Sequence, residues 1–169
     1  YALEIAPGGG SARPEPDKAA QGVLFVAVGT ARLTIGEAEH DLRPGSYAYL
    51  PPASDWSLFT TGDTPCKLHW IRKRYTPVSG LDMPPALVTH EKDVPQVAMP
   101  HTDGAWATQR FVEPTDLRHD MHVNIVTFQP GGLIPFAETH VMEHGLYVLQ
   151  GTANYLLNRD WVPVEAGDF

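Results

Sequence analysis

Short apolar runs rich in β-branched and aromatic residues recur along this chain, separated by turn-forming residues. The two strongest runs are Val23–Val28 and Leu146–Leu149. Shorter strand candidates are Arg32–Ile35, Ser46–Leu50, His122–Phe128 and Asn154–Leu157. Many short strands between Gly, Pro and Asn turns are typical of β-sandwiches and jelly rolls. The pattern therefore predicts an all-β protein.

Two parts of the chain resemble each other. The sequence V-G-T-A at Val28 recurs as Q-G-T-A at Gln150, and R-P-G-S-Y at Arg43 recurs as E-A-G-D-F at Glu165. The matching segments lie about 122 residues apart, and I-A-P-G-G-G near the N-terminus recurs as F-Q-P-G-G at about the same offset. Self-similarity at a near-constant offset predicts two copies of one β domain.

The repeat suggests a division into three parts. We expect an N-terminal domain over 1–75, a proline-rich connector over 76–120 and a C-terminal domain over 121–169. We expect the connector to supply edge strands or to wrap the other half, because long structureless loops are uncommon in compact domains. Copy one continues to about Arg74, whereas copy two stops two residues after Gly167. We therefore expect the second domain to be truncated at its C-terminal end by roughly 27 residues, the excess of copy one.

Composition narrows the range of partners. The net charge of −8 argues against nucleic acids and anionic membranes, which require a basic face. The single cysteine excludes an intramolecular disulfide and suggests a reducing compartment. No apolar run approaches the about 18 residues of a membrane span. We expect a small-molecule substrate and, if the source is bacterial, a cytoplasmic location.

A candidate metal site lies between Gly132 and Gly151. In a strand, Glu138 and His140 would point to the same face, and His144 could return to that face after a short turn. Two imidazoles and a carboxylate suit Mn, Fe, Ni or Zn ions. We interpret Glu143 not as a ligand but as an acid that is either solvated or hydrogen-bonded to a ligand.

Other charged groups are given structural interpretations. We interpret His119 and His122 as surface or pairing residues, because they lie on opposite faces of a regular strand. The basic cluster Arg72–Arg74 could bind an anion or a neighbouring subunit, but we interpret it as a solvated turn.

The spacing around the candidate ligands resembles that of the cupin family. Gly132 is followed by five residues, Glu138, one residue, His140, three residues, His144, six residues and Gly151. This is the spacing of the first cupin motif, with the Glu and one His exchanged. The segment from Glu138 to Phe169 is similar to the C-terminal cupin of the (S)-ureidoglycine aminohydrolase family, a bicupin family of allantoin catabolism. The resemblance implies two jelly-roll domains of the β-sandwich or barrel type.

The same resemblance implies the roles of individual residues. Glu138, His140 and His144 match three Mn²⁺ ligands of the family, and a fourth ligand, a Gln, would lie beyond Phe169. Glu138 would also hold the substrate ammonium and act in catalysis, and Tyr155 matches a tyrosine that faces the substrate pocket.

The first copy lacks these ligands. The residues 122 positions before them are Pro16, Lys18 and Gly22, and Trp56 stands where the second cupin motif has a histidine. We therefore expect a metal-free N-terminal cupin, as the family has.

The resemblance implies Mn-dependent hydrolysis of (S)-ureidoglycine to (S)-ureidoglycolate and ammonia, by a homo-oligomer. Fe²⁺, Ni²⁺ and Zn²⁺ remain open as alternatives to Mn²⁺. Two other functions also remain open: a non-haem Fe(II) oxygenase, whose usual ligands are two His and one carboxylate, and a non-catalytic ligand-binding cupin.

Overall fold

The computed structural model describes residues 1–169, which form fourteen β-strands and one 3-10 helix. The chain divides into two compact units, Tyr1–Gly131 and Gly132–Phe169. In the first unit the strands are β1 (Ala2–Ile5), β2 (Gly10–Ser11), β3 (Ala20–Val28), β4 (Ala31–Ile35), β5 (Ala38–Leu42), β6 (Ser46–Leu50), β7 (Trp56–Thr60), β8 (Cys66–Arg74), β9 (Leu87–His90), β10 (Gln96–Ala98), β11 (Trp106–Arg110) and β12 (Asn124–Phe128). The 3-10 helix, Glu91–Asp93, follows β9. The second unit contains β13 (Thr152–Leu157) and β14 (Asp160–Glu165).

The first unit is built from three antiparallel sheets. A five-stranded sheet has the order β1-β8-β3-β6-β9, a four-stranded sheet has the order β2-β7-β4-β5, and β10-β11-β12 form a third. The five- and four-stranded sheets pack face to face as a β-sandwich. The predicted all-β class is confirmed, and β9 pairs with β6 as an edge strand contributed by the connector.

Strand β3 is buried on both of its faces, which explains why its sequence from Val23 onward is continuously apolar and does not alternate. Leu24 and Val26 point into the core between the two sheets of the sandwich, which also contains Leu33 and Leu58. Val23 and its neighbour Phe25 point to the opposite face. A strand that is buried on both faces favours a continuous apolar run, and in β3 this run extends from Val23 to Val28.

The second face of the five-stranded sheet is covered by residues that follow β11. Phe111 stacks on Tyr47 with ring centroids 4.2 Å apart, and Met121 and Ile125 pack against the same cluster. His119 lies here too, edge-on to Tyr49 at 4.8 Å, with its side chain only 8% exposed. The surface interpretation of His119 is therefore wrong, because 111–125 forms the cover of this core. The alternative, that His119 is a pairing residue, agrees with its Nε2 lying 3.9 Å from the carboxylate of Asp116.

The backbone confirms the internal repeat. Hairpin β4–β5 pairs Ala31 with Leu42 and Ile35 with Ala38. Hairpin β13–β14 pairs Ala153 with Val164 and Leu157 with Asp160, the same register 122 residues later. The turn residues agree as well: Gly36 has φ 57° and Asn158 has φ 58°. Equal register and equal turn geometry at a constant offset are what a duplicated supersecondary unit predicts.

A glycine precedes the hairpin in each copy of the repeat, and in the first copy the structure requires it. Gly29 has φ 77°, and a Cβ there would lie 2.5 Å from the carbonyl oxygen of Pro65. Its counterpart Gly151 has φ 83°. The conformation and the close approach of the backbone both favour glycine at position 29.

The basic cluster at the end of β8 is not a solvated turn. Arg72 forms a two-bond ion pair with Glu15, at 2.6 and 2.5 Å. Arg74 pairs with Asp17 at 3.1 Å, and Lys73 lies 3.4 Å from the carboxylate of Asp120. The acids come from segments distant in sequence, so local sequence could not show that these cations are paired.

No helix of this structure has the length and apolar character that crossing a bilayer requires.

Candidate metal centre

The candidate ligands lie in the second unit, in the segment between residues 133 and 150, which precedes hairpin β13–β14. The predicted strand over Leu146–Leu149 is wrong, and Glu138 and His140 are not in a strand either. Within the predicted run, Val148 alone makes backbone hydrogen bonds, donating to Asp168 at 3.0 Å and accepting from Gly167 at 2.9 Å. An apolar run without a paired neighbour does not form a strand, because the ladder supplies its hydrogen bonds.

Glu138, His140 and His144 nevertheless come together. One ligand atom from each lies within 4.8 Å of the others, and all three side chains are exposed. The two imidazole rings meet edge to face, with centroids 4.5 Å apart and planes at 63°. The chain bends at Val141 and Met142, between the two histidines, and this bend brings them close.

The three donors would have to move closer together to share one divalent ion. Ligand bonds of about 2.1 Å hold neighbouring donors of a tetrahedral or octahedral ion about 3.0–3.4 Å apart, whereas the three ligand atoms here lie within 4.8 Å of one another. Exposed side chains can close this difference, which is at most about 1.8 Å, by rotating about their χ angles. The donor set therefore fits a metal cofactor, as two neutral imidazoles and a carboxylate would.

A backbone contact defines the proton position on one of the candidate ligands. The amide of Met142 donates to Nδ1 of His140 at 3.3 Å. In the neutral ring this places the proton on Nε2. Ligation through Nε2 would move that proton to Nδ1 and replace this hydrogen bond, whereas ligation through Nδ1 would displace the amide directly.

Two other residues that the sequence analysis singled out lie outside the three-residue cluster. Glu143 is exposed and is not one of its members. Tyr155 lies in β13 opposite Val162. The predicted substrate role of Tyr155 stays a prediction.

Sequence reasoning gave the first copy no binding role, but the structure has a cavity of about 400 Å³ there. Trp56 and Trp70 line it, together with charged residues from the loop before β3. One sequence signal could have indicated this cavity. Lys18 and Trp56 stand at positions where the cupin motifs have metal ligands, and both line the cavity.

Comparison with known proteins matches residues 2–72 to the Cupin domain family. The chain also superposes on the crystal structure of a Pseudomonas aeruginosa protein named for induction by glyoxylate, with a TM-score of 0.93, 55% identity, and coverage of 99% of this chain and 62% of that one. The chain belongs to the cupin superfamily.

Relatives of known name agree with the resemblance seen in the sequence. This cupin is 32% identical to a probable (S)-ureidoglycine aminohydrolase of rice, over 94% of this chain and 50% of the relative. It is 28% identical to the (S)-ureidoglycine aminohydrolase of Escherichia coli, over 100% of this chain and 64% of the relative. The predicted relationship to this family is confirmed. The cupin spans half to two thirds of the length of these relatives, so the activity of the whole protein is a matter for proposal.

Proposed function

We propose that this cupin belongs to an enzyme that hydrolyses (S)-ureidoglycine to (S)-ureidoglycolate and ammonia with the help of Mn²⁺. One observation carries the proposal: three donors of the right kind cluster within 4.8 Å in a chain whose named relatives are ureidoglycine aminohydrolases. Glu138, His140 and His144 are the proposed ligands.

In the proposed reaction, water replaces the amine on the central carbon of the substrate. A carbon–oxygen bond forms, the carbon–nitrogen bond breaks, and the amine leaves as ammonia after taking up a proton. A bound divalent ion would supply charge to orient the substrate's carboxylate and amine and to polarise the reacting centre.

The residues of this chain have distinct tasks in the proposal. His140 and His144 would bind a divalent ion through neutral imidazole nitrogens. The carboxylate of Glu138 is both a ligand and the acceptor for the substrate ammonium. Tyr155 is proposed to face the substrate.

A non-haem Fe(II) oxygenase remains the second candidate, because two histidines and one carboxylate are also the ligand set of that class. Oxygen uptake with Fe²⁺ distinguishes it from hydrolysis, which consumes no oxygen. A homo-oligomer is part of the proposal for the whole protein.

The test measures two quantities separately. The first is Mn²⁺ binding by the 169-residue chain, followed by calorimetry, with His140→Ala and His144→Ala as variants and Glu143→Gln as the matched control. We expect each histidine variant to lose at least about tenfold in affinity, the usual cost of perturbing a metal site, and the control to keep its affinity. Unchanged binding in a histidine variant would refute the ligand assignment.

The second quantity is ammonia release from freshly prepared (S)-ureidoglycine. It is measured with a chain extended to the length of the relatives, loaded with Mn²⁺ or treated with chelator. Metal-dependent release above the spontaneous rate supports the proposal. Equal release in both samples would overturn the hydrolase while leaving the result on metal binding intact.

A further inference from the structure

The cavity of about 400 Å³ in the first unit lies where the first copy has no metal ligands. Gly22, at the start of β3, and Trp56, at the start of β7, line it. The loop that precedes β3 contributes charged residues, and Trp70 contributes its indole. A volume of this size is sufficient for a small organic molecule.

Charges at the cavity are unevenly neutralised. Glu15 and Asp17 line it, but Arg72 and Arg74 neutralise them. The other charged lining residues are Arg13, Lys18 and Asp55, and none of these three forms an ion pair. The cavity therefore has two free cations against one free anion, in a chain whose net charge is −8. A local excess of positive charge on an acidic protein favours an anionic ligand.

The repeat gives Lys18 a specific position. The hairpins align with an offset of 122 residues, and the same offset places Lys18 at the position of His140 and Gly22 at that of His144. Both lining residues thus stand at ligand positions of the second copy. A lysine ammonium at such a position supplies, as part of the chain, positive charge that a metal would supply in the second copy.

Trp70 adds an unused hydrogen-bond donor. Its Nε1 is buried and has no acceptor. It lies close to Gly22, where a Cβ would be only 2.9 Å from Nε1. Trp56 packs edge-on to Trp70 with ring centroids 5.8 Å apart, and Arg72 lies over the Trp70 ring at 5.5 Å. A buried donor without a partner is uncommon in native proteins and calls for a ligand or water oxygen.

We infer that the cavity of the first copy is a binding site for a small organic carboxylate, held by Lys18 and Arg13, with the indole N–H of Trp70 as a further donor. The two copies of the repeat would thus bind small anions by different means. In the second copy a metal is the proposed source of charge, and in the first copy the side chains provide it. This inference does not depend on the proposed hydrolysis.

The test uses the whole chain, kept free of metal with chelator, and glycolate as the probe. The four tryptophan indoles give separate ¹H–¹⁵N signals, and Trp70→Phe assigns the one from Trp70. We expect glycolate to shift the Trp70 signal saturably. Lys18→Gln should weaken binding by about tenfold, the effect of removing one charge-assisted hydrogen bond. Lys92→Gln, at a lysine outside the cavity lining, should change it less than twofold.

Two results would overturn the inference. One is an unshifted Trp70 signal at glycolate concentrations that saturate ordinary weak carboxylate sites. The other is equal binding by Lys18→Gln and Lys92→Gln. Ethanolamine, a cation of similar size, serves as the charge control: a stronger shift with ethanolamine than with glycolate would mean that Asp55 dominates the site, which also contradicts the inference.

Discussion

Two buried tyrosines in β6 differ in one hydrogen bond, which makes them a matched pair for measuring what that bond contributes. Tyr47 and Tyr49 point to the same face of the sheet, and they are 1% and 0% exposed. The hydroxyl of Tyr49 donates to Oε1 of Gln21 at 3.1 Å. The amide of Gln21, itself 1% exposed, donates to Asp120. Tyr47 forms no hydrogen bond through its hydroxyl.

We predict that Tyr49→Phe destabilises the protein by about 1–2 kcal/mol. A typical buried hydrogen bond contributes about 1 kcal/mol net, and Oε1 of Gln21 would be left as a buried acceptor without a donor, which adds to the cost. Tyr47→Phe removes a hydroxyl that has no partner in the protein. We therefore expect a change within about 0.5 kcal/mol.

The measurement is urea unfolding followed by far-UV circular dichroism. With a denaturant slope of about 2 kcal/mol per molar, Tyr49→Phe should lower the midpoint by about 0.5–1 M. The slope should stay unchanged in both variants, because neither alters the surface exposed on unfolding. Equal midpoints for the two variants would show that the Gln21 bond contributes nothing beyond the packing of the ring.

Three further predictions concern the first unit. Burial lowers the pKa of His119, despite the nearby carboxylate of Asp116. Because the unfolded chain then binds more protons than the folded one, the contribution of this ring to stability is fully present above about pH 6.5 and falls as the pH drops below that value. Arg118, Asp120 and His122 also act on this ring. His119→Phe should flatten the pH dependence of the free energy of unfolding below about pH 6.5. An unchanged pH dependence would contradict this. Gly29→Ala should destabilise the protein by more than about 1 kcal/mol, and clearly more than Gly36→Ala does. A Cβ at position 29 meets the Pro65 carbonyl, whereas one at position 36 meets nothing within 4 Å. Thermal melts of both glycine variants test this, and equal losses would refute the steric part. Leu33→Ala, at a fully buried position of the sandwich core, should cost about 2–5 kcal/mol in the same assay, and a loss below about 1 kcal/mol would mean that the core relaxes around the cavity.

Much of the first unit's architecture could be predicted from local sequence. The strands at Arg32–Ile35 and Ser46–Leu50 were predicted within one residue of β4 and β6. These segments combine β-branched or aromatic residues with Gly, Pro or Asn turns at their ends, so local preference and the final pairing agree. Leu146–Leu149 has the same composition but forms no strand, because strand formation also requires a partner with free backbone groups.

The surface interpretation of His119 and the solvated-turn interpretation of Arg72–Arg74 were wrong for a related reason. Burial of His119 depends on Tyr49, which is 70 residues away in the chain. The partners of the arginines, Glu15 and Asp17, are 57 residues away. The periodicity of a strand describes its two faces, but it does not say which distant segment covers each face.

By itself, the sequence determined the all-β class, the offset of the repeat and the three candidate metal ligands, because turn chemistry, strand alternation and motif spacing are local properties. Only the tertiary structure decided which of these groups meet. It brought Glu138, His140 and His144 within 4.8 Å without a strand, and it paired the basic residues of β8 with acids of the N-terminal loop. It also opened a cavity beside Lys18 and Trp70. The ion pairs and the cavity depend on contacts between segments far apart in sequence, whose free energy is set by packing and burial and not by local preference. The metal cluster differs, because its three residues lie within seven positions of the chain and meet through a local bend.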